Sequence, residues 1–214
     1  MTRYRRARAV LVAAFLLLGV ASSVAADSPP ISRQAFNADM RKLWEDHITW
    51  TRLYVVSAIG GLPDKDATAQ RLLQNQADIG NAVAEFYGRD AGNKLTGLLK
   101  DHILIAASIV AAAKAGDNAK VTSENKRWHD NAVDLARFLH GANAKNWPEA
   151  TLQSALFTHL DQTLSEASNQ LKGNYAASIK DYDGAMDHML MVADILSDGI
   201  VKQFPSKFNE GKKK

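Results

Sequence analysis

The 214-residue chain has no cysteine. That excludes disulfides and thiolate metal sites, and it leaves the fold to be held by its core alone. Beyond the first 26 residues there is no surplus of charge either. The whole chain carries 26 Lys and Arg against 23 Asp and Glu. Four of the basic residues (Arg3, Arg5, Arg6 and Arg8) fall in that first stretch with no acid, so the remainder holds 22 against 23, a formal charge of −1. A chain without a basic face lacks the electrostatic footprint of a nucleic-acid binder. Several catalytic signatures are missing as well. There is no Gly-rich phosphate loop after a strand, no Gly-x-Ser-x-Gly elbow and no His-Glu-x-x-His pair. No segment shows the period-2, β-branched alternation of a strand. No stretch beyond the leader is expected to be apolar for long enough to insert stably in a membrane.

What is present begins with that leader. Its four arginines precede an apolar run over residues 9–21, and Val24-Ala25-Ala26 supplies the small residues of a cleavage site. Residues 1–26 are therefore expected to be a secretory signal peptide, cleaved near Ala26, which sends the protein to the periplasm or the medium. Residues 27–33 are expected to form a flexible N-terminal segment, 34–208 one helical domain, and 209–214 a basic disordered tail ending in Lys212, Lys213 and Lys214.

Six amphipathic segments follow the leader, roughly 34–60, 67–87, 93–115, 121–141, 149–172 and 177–203. Each carries apolar residues at i, i+3, i+4 and i+7. Leu95, Leu98, Leu99, Ile105 and Ile109 make one such stripe. Turn chemistry separates the segments at Gly60-Gly61-Leu62-Pro63, Gly88 to Gly92, Gly116-Asp117-Asn118, Gly141 to Pro148, and Lys172-Gly173-Asn174. Asp64 or Asp66, Asp90 or Asn93, and Asp117 are the expected N-caps. The loops are short, so successive helices should be antiparallel neighbours. The expected fold is an all-α, up-and-down bundle of about six helices built from three helical hairpins, with packing of the DinB or four-helix-bundle kind.

The chain also aligns on itself. Trp44-x-x-His47-Ile48, Leu99-x-x-His102-Ile103 and Leu156-x-x-His159-Leu160 lie on the odd-numbered helices. Asn75-x-x-Asp78, Asn131-x-x-Asp134 and Met191-x-x-Asp194 lie on the even-numbered ones. The midpoint of each His–Asp pair falls in or near a turn, which predicts that three His and three Asp are level in the bundle. Asn75 and Asn131 lie one helical turn from their aspartates. All three histidines sit on core-facing stripes.

Such a layer suits a transition-metal site for zinc, copper or iron. Neutral imidazole ligates all three, and three His with an open fourth position is a zinc arrangement. Asp78, Asp134 and Asp194 would then orient the rings or ligate directly, with Asn75 and Asn131 beside them. The pattern differs from the Glu plus Glu-x-x-His of di-iron bundles. A small polar ligand is the other occupant this reading allows. The rival reading is a polar layer that only fixes helix register in a structural or interaction protein. A metal-dependent hydrolase is the weaker alternative. Outside the layer, Met186, His188, Met189 and Met191 cluster soft ligands that suit copper, although Met at helical spacing is commonly core filler. His129 is a further candidate near the layer. His140 reads as a helix C-terminal cap. Trp50-Thr51-Arg52 reads as structural. The sequence selects no catalytic residue, and the reading leans away from an enzyme. It does not indicate an oligomeric state.

The stretches Leu43-Trp44-Glu45-Asp46-His47, Trp50-Thr51-Arg52, Arg71-Leu72-Leu73-Gln74-Asn75, Leu98-Leu99-Lys100-Asp101-His102-Ile103 and Gly199 to Phe204 resemble a family of small bacterial secreted or soluble all-helical proteins of unestablished function. The resemblance spans most of the mature chain and implies an all-α fold. Some members carry the labels glycosyltransferase or acetylglutamate kinase. Those activities imply strands and phosphate loops, which are lacking here, so neither label is carried over.

Overall fold

Helix α1 (Arg33–Gly60) starts where the Ser32 side chain accepts from the Ala35 N–H, and it stops at Gly61 in the left-handed conformation. A left-handed residue satisfies the last carbonyls of a helix, and only glycine takes it without strain. The computed structural model describes residues 31–209, so the expected leader, residues 27–30 of the expected flexible segment and the last five residues lie outside the described residues. The remaining helices are α2 (Lys65–Tyr87), α3 (Arg89–Ala115), α4 (Asn118–Ala142), α5 (Glu149–Leu171) and α6 (Tyr175–Gln203). Each helix packs on its sequence neighbours, and α6 closes on α1, so the six form a ring of antiparallel pairs. Helix α1 also meets α3 and α5 across the interior. The all-α bundle is as expected, with six helices in a closed ring.

All but α5 run longer than periodicity suggests. Helix α3 begins at Arg89, four residues early, because Gly88 (φ 87°) makes the whole α2–α3 turn by itself. Asp90 therefore lies in the first turn of α3. Asp117 does cap α4, accepting from the Lys120 N–H, whereas Asp64 precedes α2 without a side-chain cap bond. Helices α2 and α3 approach closely at Gly80 and Gly92. A Cβ on Gly80 would stand 2.7 Å from the Gly92 carbonyl oxygen.

Two features of the ends were not legible in the pattern. A two-residue strand β1 (Ile31–Ser32) pairs in parallel with β2 (Phe208–Asn209), beyond a 3₁₀ turn at Pro205–Lys207. Residues 31–33 of the expected flexible segment are thus held, and two residues are too few to show a strand period. Phe208 is buried against Phe36 and Phe86, which seals this end. Helix α3 is also long and apolar enough, by length and composition, to cross a membrane, contrary to expectation. Its Leu95, Leu99, Ile103, Ile109 and Val110 are spent on the bundle core.

The α4–α5 connection turns inward. Trp147 is 1% exposed, donates its indole N–H to the Ile195 carbonyl, and packs against Gly199. A Cβ at position 199 would overlap the indole. His140, expected only as a cap, bonds through Nδ1 to the Trp147 carbonyl and so holds this plug in place.

Candidate metal centre

His47 on α1, His102 on α3 and His159 on α5 converge at the middle of the ring. Each is 2% exposed. Their ring centroids form a triangle with sides of 5.5 Å (His47–His159), 5.9 Å (His102–His159) and 6.5 Å (His47–His102). The expected clustering of the three histidines is therefore observed.

The three aspartates do not reach them. Asp78 accepts from Gln74 and faces Arg71 at 3.7 Å. Asp134 is 63% exposed, beside Arg137. Asp194 accepts from Asn37 at 2.9 Å and pairs with Arg41 at 2.6 Å. For Asp78 and Asp134, three residues after the buried Asn75 and Asn131, the physical reason is helical phase. A residue three positions after a core-facing one is rotated about 60° toward the helix flank, where it meets solvent or a neighbouring helix. Level height in a hairpin does not imply the same face.

Amides and a hydroxyl do the work expected of the carboxylates. His102 Nδ1 lies 2.9 Å from Asn131 Oδ1, and Asn131 Nδ2 donates to the Leu98 carbonyl. The amide nitrogen is thus committed to a carbonyl, so its oxygen faces the ring and His102 Nδ1 must be the donor. His47 Nδ1 lies 3.3 Å from Gln76 Oε1. Gln76 Nε2 is committed to the Leu72 carbonyl and to Asn75 Oδ1, and Asn75 Nδ2 donates to the Leu43 carbonyl. His47 Nδ1 is a donor for the same reason. The Thr163 hydroxyl donates to the His159 carbonyl, so its oxygen is the acceptor facing His159 Nδ1 at 3.5 Å. In all three rings the proton sits on Nδ1. No hydrogen bond reaches Nε2 of any of them among the described residues.

Burial keeps the rings neutral. It pushes His47 down to about 4, with the Gln76 bond opposing. It pushes His102 down to about 3, with help from His47. It holds His159 well below its usual value, with His47, His102 and His188 adding to the effect. A neutral ring with its proton on Nδ1 carries a lone pair on Nε2, so the core holds three bare acceptors.

Two unpartnered donors flank them. Trp44 Nε1 and Trp128 Nε1 are buried without a hydrogen-bond partner. Trp44 packs 5.7 Å from His47 and Trp128 packs 5.1 Å from His102. The three imidazoles and Trp44 line an apolar-walled cavity of about 30 Å³, to which Met40 and Met189 also contribute. A second cavity of about 30 Å³ adjoins Trp128 and Thr163. Either has room for an ion or a water.

The hairpins share one frame. His47, His102 and His159 each stand fourteen residues before a left-handed glycine: Gly61, Gly116 and Gly173. Fifteen residues after those glycines come Gln76, Asn131 and His188. His188 Nε2 bonds the Ala155 carbonyl at 2.8 Å, as Asn131 bonds Leu98 and Asn75 bonds Leu43. Each of those carbonyls lies four residues before the hairpin's buried histidine. In the third hairpin the counterpart of the amides is thus His188, and aligning Met191 with Asn131 was out of step by three residues. Measuring from the glycines, which fix the turns, would have found Gln76 and His188 in the sequence. Trp128 and Thr163 leave no such signal.

The soft-ligand cluster expected on α6 is dispersed. Met189 is 1% exposed and faces the cavity, Met186 is half-buried, and Met191 is 48% exposed. Consecutive helical residues point in different directions, so proximity in sequence does not gather them. His129 turns to the Asn125 carbonyl and the Phe157 ring, away from the layer. Arg52, read as structural, anchors a second buried cluster. It bonds Glu166, Ser178 and Gln170. Burial raises Glu166 to about 7, against the pull of Arg52.

Among the described residues, no three His, Cys, Asp or Glu side chains stand as an assembled metal site. Three imidazoles sharing one ion at about 2 Å would place their centroids about 5 Å apart. The observed triangle is wider than that by up to about 1.5 Å on its longest side, 6.5 Å. No protein-family model, no curated protein and no solved structure matches the chain.

Proposed function

We propose that this is an exported helical bundle that binds one transition-metal ion, zinc, copper or iron, at His47, His102 and His159. The observation that carries the reading is the three neutral imidazoles, each with Nδ1–H fixed by an oxygen and Nε2 bare. Holding the proton on one ring nitrogen is what an outer partner does for a metal-binding histidine. Three unpaired acceptors in an apolar interior are costly unless something satisfies them. A cavity of about 30 Å³ favours an ion over an organic ligand. It gives no support to hydrolysis, which needs room for a substrate. The three hairpins read as an internal repeat whose buried positions converge on one point. The leader over residues 1–26 supports export, to the periplasm or beyond.

The second reading is a register-setting layer, favoured by the width of the triangle. In it, buried water accepts from Trp44 and donates to the bare Nε2 atoms. One experiment separates the two. The protein is purified from the exported fraction and its metal content measured. The ion-site reading expects one ion per chain, lost in His102→Gln and kept in His129→Gln. A chain that carries no ion, and takes up none from added zinc or copper, would leave the register layer standing.

A further inference from the structure

The three hairpin turns lie at one end of the bundle, and they differ in what they show to solvent. Gly61 is followed by Asp64 and Asp66, and Gly116 by Asp117. The third turn has no acid beside it. From Ala167 to Lys180 the only charged residues are Lys172 and Lys180, both exposed. Asp181, next in the chain, is turned back onto Ser165 and Asn169, which each donate to it at 2.8 Å. With the lysines stand Leu171, Tyr175 and Ile179, which are 38%, 60% and 52% exposed. Tyr175 and Ile179 are one helical turn apart and share a face. The segment that carries them is braced. Ser178 is fully buried, accepts from Arg52 of α1 and donates to the Glu166 carbonyl, and Arg52 also reaches Gln170. With Ser178 held inward, Tyr175 and Ile179 are kept out of the core. A stable protein interface uses about 20–30 residues a side, far more than one turn offers. A bilayer surface needs less. Apolar side chains enter at headgroup level, a Tyr keeps its hydroxyl in water, and lysines meet lipid phosphates.

We propose that the α5–α6 turn docks on the surface of an anionic lipid bilayer. Leu171, Tyr175 and Ile179 enter the headgroup layer, and Lys172 and Lys180 face lipid phosphates. This is surface contact and not insertion, and it holds whether or not the histidine layer carries an ion. The protein purified from the exported fraction is sedimented with vesicles of phosphatidylcholine mixed with phosphatidylglycerol, and with vesicles of phosphatidylcholine alone. It is expected to bind the mixed vesicles, and less so as salt rises. Tyr175→Ser with Ile179→Ser is expected to lower that binding about tenfold or more, as is Lys172→Gln with Lys180→Gln. All four positions are exposed, so both variants should keep the parent's urea midpoint. The chain has no cysteine, so one environment-sensitive dye can be placed at Ala176→Cys on this turn or at Ala144→Cys on the α4–α5 connection at the other end. Only the dye at position 176 is expected to shift to the blue on mixed vesicles. No binding, equal uptake by both kinds of vesicle, binding undiminished in either variant, or a shift at position 144 alone would overturn the inference. Self-association of the parent that Tyr175→Ser with Ile179→Ser abolishes, without vesicle binding, would make this face a contact between two copies and overturn it as well.

Discussion

Two polar clusters lie inside the same bundle, and they differ in one respect. At Arg52 and Glu166 a buried carboxylate is paired with a cation. The guanidinium reaches Glu166, Ser178 and Gln170, and Ser178 reaches back to the Glu166 carbonyl. At His47, His102 and His159 only the outward ring nitrogen is matched, and the inward one is left bare. Burial is similar, with Glu166 at 2% and each histidine at 2%. The difference teaches that burial and polarity alone do not mark a site. The histidine layer differs in holding neutral rings and no opposite charge, so nothing inside the protein compensates its inward nitrogens.

The largest test of this contrast is pH. The unfolded imidazoles titrate near their ordinary value of 6.5, and the folded ones titrate far lower, at about 4 for His47 and about 3 for His102. Below 6.5 the unfolded chain binds more protons than the folded one, so stability is full above 6.5 and falls as pH drops toward 4. At pH 5 His47 and His102 each cost about 2 kcal/mol, a large part of the whole stability of a domain, and the lowered His159 acts in the same direction. Glu166 acts oppositely, since its folded carboxyl is raised and its contribution declines as pH rises from 4.5 to about 7. Urea midpoints measured from pH 7.5 to 5 should fall steeply, and more gently in His47→Gln. A flat profile would mean that the rings are not neutral and buried.

The next test strikes the closed cluster. Glu166→Ala leaves the Arg52 guanidinium buried without its carboxylate and should cost about 3–5 kcal/mol. Replacing both, as Arg52→Met with Glu166→Leu, should recover most of that loss in a urea melt. A double variant as unstable as the single one would show that the cluster does more than balance itself.

The smallest effects compare the amides with the aspartates. Asn131→Ala strips the acceptor from His102 Nδ1 and should cost about 1–3 kcal/mol, along with any ion binding. Asp134→Ala should change stability by less than about 0.5 kcal/mol and leave binding alone. Comparable losses in the two variants would restore the aspartates to the layer.

Most of the fold was legible because amphipathic period and turn residues are local properties. The turns at Gly61, Gly116 and Gly173 announce three hairpins, and helical period places His47, His102 and His159 on the inner faces. The aspartates were misplaced because height along a hairpin was read without rotation about the helix axis. The β1–β2 pairing, the Trp147 plug and the Arg52–Glu166 pair join residues that are distant in the chain, and no local pattern announces them.

By itself the sequence determined six helices, their antiparallel order and the three buried histidines, since each follows from spacing within one helix or hairpin. The tertiary structure decided what faces those histidines. Which ring nitrogen is bonded, and to which oxygen, depends on how side chains of neighbouring helices meet across the bundle, as at His102 and Asn131. Spacing along one helix does not fix how near two helices come, and close contacts such as Gly80 against Gly92 do.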